Sequence, residues 1–276
     1  MTSFATVMVS LALDQSNAAP LTVAGDLAER FDAGMIGVAA AQFAPPLYFA
    51  DGAVAQGLID QGQDAIRKRL SELEAEFRQA VRSRATKFVD WRSAMDFPTR
   101  YVLKESRCAD IIVTGGHSAA FSDAYALASP RELVMQTGRP VLVVPDRAQW
   151  LDLGTVLVAW KDAPGARRAI ADAVPLLHKA RTVVVAEIPE DGERSAAEAR
   201  VNDVVAWLAR HGIVASARVP EIGADAAEQL DEIADELGAG LIVAGAYGHS
   251  RFRELVLGGM TEHLLTQSDV CVLLSH

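Results

Sequence analysis

The residues best placed to do chemistry in this chain of 276 are glycines. Gly245-Ala246-Tyr247-Gly248 is followed, nine residues on, by Gly258-Gly259-Met260-Thr261. Glycines let a backbone turn through positive φ and approach a ligand closely. A helix opening behind them offers unpaired N–H groups and a positive dipole end to an anion. The same spacing also suits a tight turn leading into a helix, so both readings stand. Arg251 and Arg253 lie inside the loop, where they bracket phosphate charge or form surface ion pairs such as Arg253 with Glu254. His249 sits there too, and His117 in the matching loop of the first half; each is a ligand contact or a solvated loop residue. Neither a G-x-S-x-G nucleophile elbow nor a G-x-x-x-x-G-K-[ST] loop occurs, which weakens an ordinary hydrolase reading. The six histidines and two cysteines show no metal-ligand spacing, and Cys108 and Cys271 read as small buried hydrophobes.

The elements that must hold the loop appear when the chain is compared with itself. Ala109-Asp110-Ile111-Ile112-Val113-Thr114-Gly115 reads like Ala239-Gly240-Leu241-Ile242-Val243-Ala244-Gly245, and Val141–Val144 falls on Cys271–Leu274, all at an offset of 130. Earlier, Val7–Val9 matches Val156–Val158 at 149, and Met35–Ala39 matches Thr182–Ala186 at 147. The difference implies about 17 extra residues in the first half, placed at 42–57 and in a longer helix after it. These short apolar runs are strands buried on both faces of a parallel sheet. Ile66, Leu70, Leu73, Phe77 and Val81 make one apolar helical face; Leu230, Ile233, Ala234 and Leu237 make another, stopped by Gly238. Each half then runs strand, helix, strand, helix, strand, helix, strand, loop, helix, strand. Right-handed crossovers turn this into two tandem five-stranded doubly wound α/β domains, 1–146 and 155–276, of Rossmann-like type.

The pattern G-x2-G-x9-G after a buried strand and before a helix resembles the universal stress protein family, as two tandem copies. That resemblance implies an adenine nucleotide alpha hydrolase-like fold. It also implies a stress-response binding or signalling protein without an agreed catalytic reaction. In the second half it implies a site for ATP: Gly245, Gly248 and Gly258 hold the phosphates, with Gly259 where Ser or Thr is usual and Thr261 as the substitute hydroxyl. The first strand's end, Ala159-Trp160-Lys161-Asp162, faces base and ribose. Lys161 stands where an acidic residue is usual, so it meets a phosphate or is simply solvated, and Asp162 supplies the carboxylate or caps the next helix. His249 completes the candidate set. The first copy has Ser118 and Ala128 at two glycine positions and Pro130 in the helix start, so ATP is not expected there; a hydrophobic small ligand or none is.

A net charge of −10 argues against nucleic-acid binding, which rests on clustered Lys and Arg. No apolar run approaches a membrane span, and Met1–Thr6 lacks a signal-peptide start, so a cytoplasmic protein is expected. The final strands, Val141–Val144 and Val270–Leu274, are apolar edges that should be covered. The resemblance implies that they meet in an internal pseudo-twofold contact; homodimerisation of the whole chain is left open. Alternatives to the nucleotide reading are a nucleotide-free protein acting through protein partners, and a slow nucleotide hydrolase.

Overall fold

The computed structural model describes residues 3–44, 52–116, 123–221, 225–246 and 259–276. The expectations placed on His117, Ser118, Gly248, His249, Arg251, Arg253 and Gly258, and on Pro45 and Pro46 of the insertion, lie outside those residues. The first half runs β1 (Thr6–Leu11), α1 (Ala18–Phe31), β2 (Gly34–Ala40), α2 (Gly52–Val81), β3 (Val89–Ala94), α3 (Pro98–Glu105), β4 (Ile111–Gly115), α4 (Pro130–Gln136) and β5 (Val141–Val144). The second half runs β6 (Thr155–Ala159), α5 (Pro164–Leu177), β7 (Thr182–Ala186), α6 (Arg194–Arg210), β8 (Ser216–Arg218), α7 (Ala226–Leu237), β9 (Leu241–Gly245), α8 (Gly259–Thr266) and β10 (Cys271–Ser275).

All ten strands join one sheet in the order β3-β2-β1-β4-β5-β10-β9-β6-β7-β8. Pairing is parallel within each half, so each is a doubly wound α/β unit whose chain reverses direction across the sheet between its first and fourth strands. The seam is antiparallel: Val272 lies opposite Val143, Leu273 opposite Leu142, and Leu274 opposite Val141.

The strand registers correct two of the internal alignments by one residue. Val7 pairs with Met35 and Val156 with Val183, so Met35 corresponds to Val183, an offset of 148. Ile112 pairs with Val141 and Ile242 with Val272, so Val141 corresponds to Val272 rather than Cys271, an offset of 131. With that equivalence, exchanging β5 and β10 leaves the seam pairing unchanged, and Leu142 lies opposite its own counterpart Leu273. The insertion is also larger than 17. Asp90 corresponds to Ser216, an offset of 126 against 148 for the preceding strand, so 22 extra residues lie between β2 and β3. Most of the surplus is helix, since α2 has 30 residues and α6 has 17.

The apolar helical faces pack as their spacing dictates. Leu70, Leu73, Phe77 and Val81 are buried along α2, with Ile66 half-buried. Along α7, Leu230, Ile233 and Ala234 are buried, the Asp225 carboxylate accepts the Ala227 and Glu228 N–H groups, and Gly238 ends the helix at φ 57°. Asp225 is held below the usual carboxylate range by those two backbone donors. Helices α1, α2, α5 and α6 cover one face of the sheet and α3, α4, α7 and α8 the other, so each core layer runs across both halves. The connection between halves is anchored. Leu151 is fully buried, its N–H donates to Asp26 (3.1 Å), and Arg30 donates to its carbonyl (2.8 Å). Cys271 is buried, but Cys108 is exposed, at the end of a short 3-10 turn after α3, and so does not fit the expectation of a buried hydrophobe.

Candidate functional site

The site expected from sequence lies at the carboxyl ends of β6, β7 and β9. Ala159 closes β6 opposite Ala186 of β7 and Ala244 of β9, and this row of small side chains leaves the rim low. Gly245, the last residue of β9, is bare for an internal reason: an added Cβ would come within 2.2 Å of the Ala166 nitrogen and 2.4 Å of the Gly165 carbonyl carbon. Gly165 answers in kind, since a Cβ there would lie 2.8 Å from the Ala246 carbonyl oxygen. The pair of glycines lets the start of α5 press against the end of β9, a packing demand independent of any ligand.

Trp160 continues β6, donating its backbone N–H to Ala186 (2.7 Å), and its side chain packs on the α5–α6 face. Lys161 is ion-paired with Glu190 (2.8 Å), both exposed. Asp162 does not cap α5: the N-cap position is Ala163, which has no side-chain oxygen to offer, and the Asp162 carboxylate accepts from Arg167 (2.5 Å) in the first turn of α5. Arg168 pairs with Asp172 (3.4 Å), whose carboxyl burial pushes upward.

Gly259 opens α8, and among the described residues nothing lies within 4 Å of a Cβ added there. Thr261, two residues on, is buried in the first turn. One turn further, His263 is 2.6 Å from Asp231, tying α8 to α7. Gly245, Gly259 and Thr261 thus bracket the loop expected to hold phosphates, while Gly248, His249 and Gly258 lie outside the described residues.

In the first half the equivalent rim is closed by its own chain. Asp123 accepts the N–H groups of Ala126 and Leu127 at its carbonyl (2.9 Å each), and its carboxylate accepts that of Tyr125 (2.9 Å). The turn so formed presents two carbonyls to the strand ends: Leu13 beyond β1 donates to Ala126 (3.1 Å), and Gln42 beyond β2 donates to Tyr125 (2.9 Å). Leu127 and Ala128 are buried beneath it.

Four residues not singled out from sequence gather beside Trp160. Arg200 of α6 donates twice to Glu187 Oε1 (2.9 and 2.6 Å), and Asp203 and Trp207 lie along the same helix. Among the described residues, the Oε2 atom of Glu187 and the indole nitrogen of Trp160 are buried without a hydrogen-bond partner. A glutamate continuing an apolar strand, with an arginine on the next helix, was the available signal. Among the described residues no group of three or more His, Cys, Asp or Glu could hold a metal ion, and no helix is long and apolar enough to cross a membrane.

The Universal stress protein family model matches residues 153–276. Among solved structures, a universal stress protein from Archaeoglobus fulgidus DSM 4304 is similar over 98% of this chain and 97% of its own, at TM-score 0.71 and 18% identity. A functionally unknown protein from Pseudomonas aeruginosa PAO1 is similar over 99% of this chain and 92% of its own, at TM-score 0.59 and 16% identity. At such identities the likeness is one of fold, and it spans both halves. No curated protein matches the chain.

Proposed function

For a chain whose residues 153–276 match the Universal stress protein family model, we propose a non-catalytic binding and signalling role in stress response, with one adenine-nucleotide site, for ATP, in the second half. The observation that carries this reading is the N-terminus of α8 at Gly259, beyond the end of β9, where no described residue lies within 4 Å of an added Cβ. A helix start offers unpaired N–H groups to phosphate oxygens. Lys161 is available to the same anion, because an exposed pair such as Lys161–Glu190 is worth only about 0–1 kcal/mol and parts cheaply. The first half serves as scaffold, its rim occupied by the Asp123–Leu127 turn.

The domains are 1–146 and 155–276. The antiparallel β5–β10 seam supports reading them as an intramolecular counterpart of a symmetric dimer. The lack of a membrane-spanning helix among the described residues is compatible with a cytoplasmic protein.

Binding of ATP at about a hundred times its Kd should stabilise the native state by about 2.7 kcal/mol. A thermal shift of several degrees with ATP, abolished in Gly248→Val, is the expected result. Small molecules released from freshly purified protein, identified by mass spectrometry, should include an adenine nucleotide. No shift with ATP, ADP or AMP at millimolar concentration would overturn the reading. It would favour instead a nucleotide-free protein acting through partners, which the purely structural reason for Gly245 also suits.

A further inference from the structure

A groove of about 390 Å³ runs between α5 and α6, on the helical face and away from the α8 N-terminus. Its apolar lining is Trp160, Ile170, Val204 and Trp207, and its polar lining is Asp162, Arg167, Arg200 and Asp203. The volume falls in the range of small-molecule pockets, about 300–1,000 Å³. The first half has a groove in the same place, between α1 and α2, but it is lined by Gln15, Ser16, Asn17, Arg69, Glu76 and Gln79 with no aromatic ring. The residue corresponding to Trp160 there is Leu11. One fold position has therefore been furnished in two ways, and only the second copy carries a pair of indoles.

The charges around the indoles are unequal. Arg167 is matched by Asp162 (2.5 Å), and Arg200 by Glu187 (2.6 Å) and Glu193 (3.3 Å). Asp203 has no ion pair among the described residues, and it stands one helical turn from Trp207 on the same face of α6. The lining itself carries two carboxylates, Asp162 and Asp203, and two guanidinium groups, Arg167 and Arg200; the arginines are engaged by Asp162 and, outside the lining, by Glu187 and Glu193, which leaves Asp203 as the unmatched charge. Glu187 is nearly buried, its side chain 6% exposed, so its charge is less screened by solvent than that of its exposed neighbours.

We propose that this groove binds an organic cation, an ammonium group on an apolar or aromatic body. Indole is the side chain most attractive to a cation over its face. Asp203 supplies the counter-charge at the rim, and Ile170 and Val204 take the apolar body. Trp160 and Asp162 also belong to the strand end expected to face base and ribose, but the ligand class is opposite in charge to a nucleotide, and its binding is read with no nucleotide present.

The test uses the full chain without nucleotide and follows tryptophan fluorescence as benzyltrimethylammonium is added. Its uncharged carbon isostere, neopentylbenzene, is the paired control. Saturable quenching is expected, with the ammonium bound about tenfold more tightly than the isostere. Trp207→Ala should weaken binding about tenfold and Asp203→Asn about threefold; the latter is an exposed, isosteric change that leaves folding intact. Equal affinity for the isostere would overturn the proposal. So would quenching that does not saturate, or affinity unchanged in both variants.

Discussion

An alanine at Gly245 would place its methyl carbon against the backbone of Gly165 and Ala166, so strand β9 or helix α5 must shift to admit it. Overpacking of this kind costs about 1–3 kcal/mol. Gly245→Ala is therefore expected to lower the urea midpoint of the ligand-free protein, whereas Gly259→Ala, which meets none of the described residues, should stay within about 0.5 kcal/mol of the parent. An unchanged midpoint for Gly245→Ala would leave ligand contact as the reason for that glycine. The sequence placed Gly245 in the glycine pattern but gave no sign of its packing role, because whether a backbone is approached by a helix or by a ligand is a fact about its tertiary neighbours. The cysteines make a second contrast. Burial pushes the Cys271 thiol up to about 12, while Cys108 is exposed. A disulfide reagent at pH 8 should titrate one thiol in the native protein and two after unfolding. A folded-state pKa raised above the unfolded value of about 8.5 means that the unfolded chain loses its proton first as pH rises. The Cys271 contribution is thus complete below about pH 8 and is lost as pH climbs toward 12. The stability gap between the parent and Cys271→Ala should narrow over that interval in denaturation measured at successive pH values.

Among the elements, the turn at Asp123–Leu127 makes a local device of an eroded loop. By lending two carbonyls to Leu13 and Gln42, it gives the ends of β1 and β2 the partners that a ligand would otherwise have to supply. Those two amides should exchange slowly with deuterium in the native protein. Asp123→Ala, which removes the carboxylate that receives Tyr125, should speed both. Slow exchange unchanged by that variant would mean that the turn does not depend on Asp123. The order of strands and helices was legible from apolar runs and helical periodicity, as at Leu70, Leu73 and Phe77. The register of the last strand was not. Val141–Val144 and Cys271–Ser275 are buried at every position, so no alternation of apolar and polar residues marks which side chain belongs to which face. The closing role of the turn was hidden for a related reason: Asp123 marks a turn, but its contacts to Leu13 and Gln42 are made by backbone carbonyls, to which sequence gives no signature.

At the scale of the whole molecule, the seam between β5 and β10 makes two similar units into one sheet with two shared core layers. Leu142 and Leu273 are fully buried where the strands cross, and an arginine there would place a charge without a partner in that core. Leu273→Arg is expected to replace a single cooperative urea transition with two, read by fluorescence and circular dichroism together. Retention of one transition would show that the anchored connection at Leu151 suffices to couple the halves. Residues 153–276 produced alone would expose β10 as an apolar edge, and light scattering should find them paired through it.

The antiparallel seam also sets direction. Within each half every strand runs the same way, and the two halves run oppositely, so the strand tips of one unit look toward one pole of the molecule and those of the other unit toward the opposite pole. Whatever sits at one pole neither crowds nor shields an occupant of the other. Any coupling between the two poles would run through the hydrogen-bonded β5–β10 ribbon, with Leu142 opposite Leu273 at its middle. The first half's pole carries its own Asp123–Leu127 turn, and the second half's pole carries the N-terminus of α8 at Gly259.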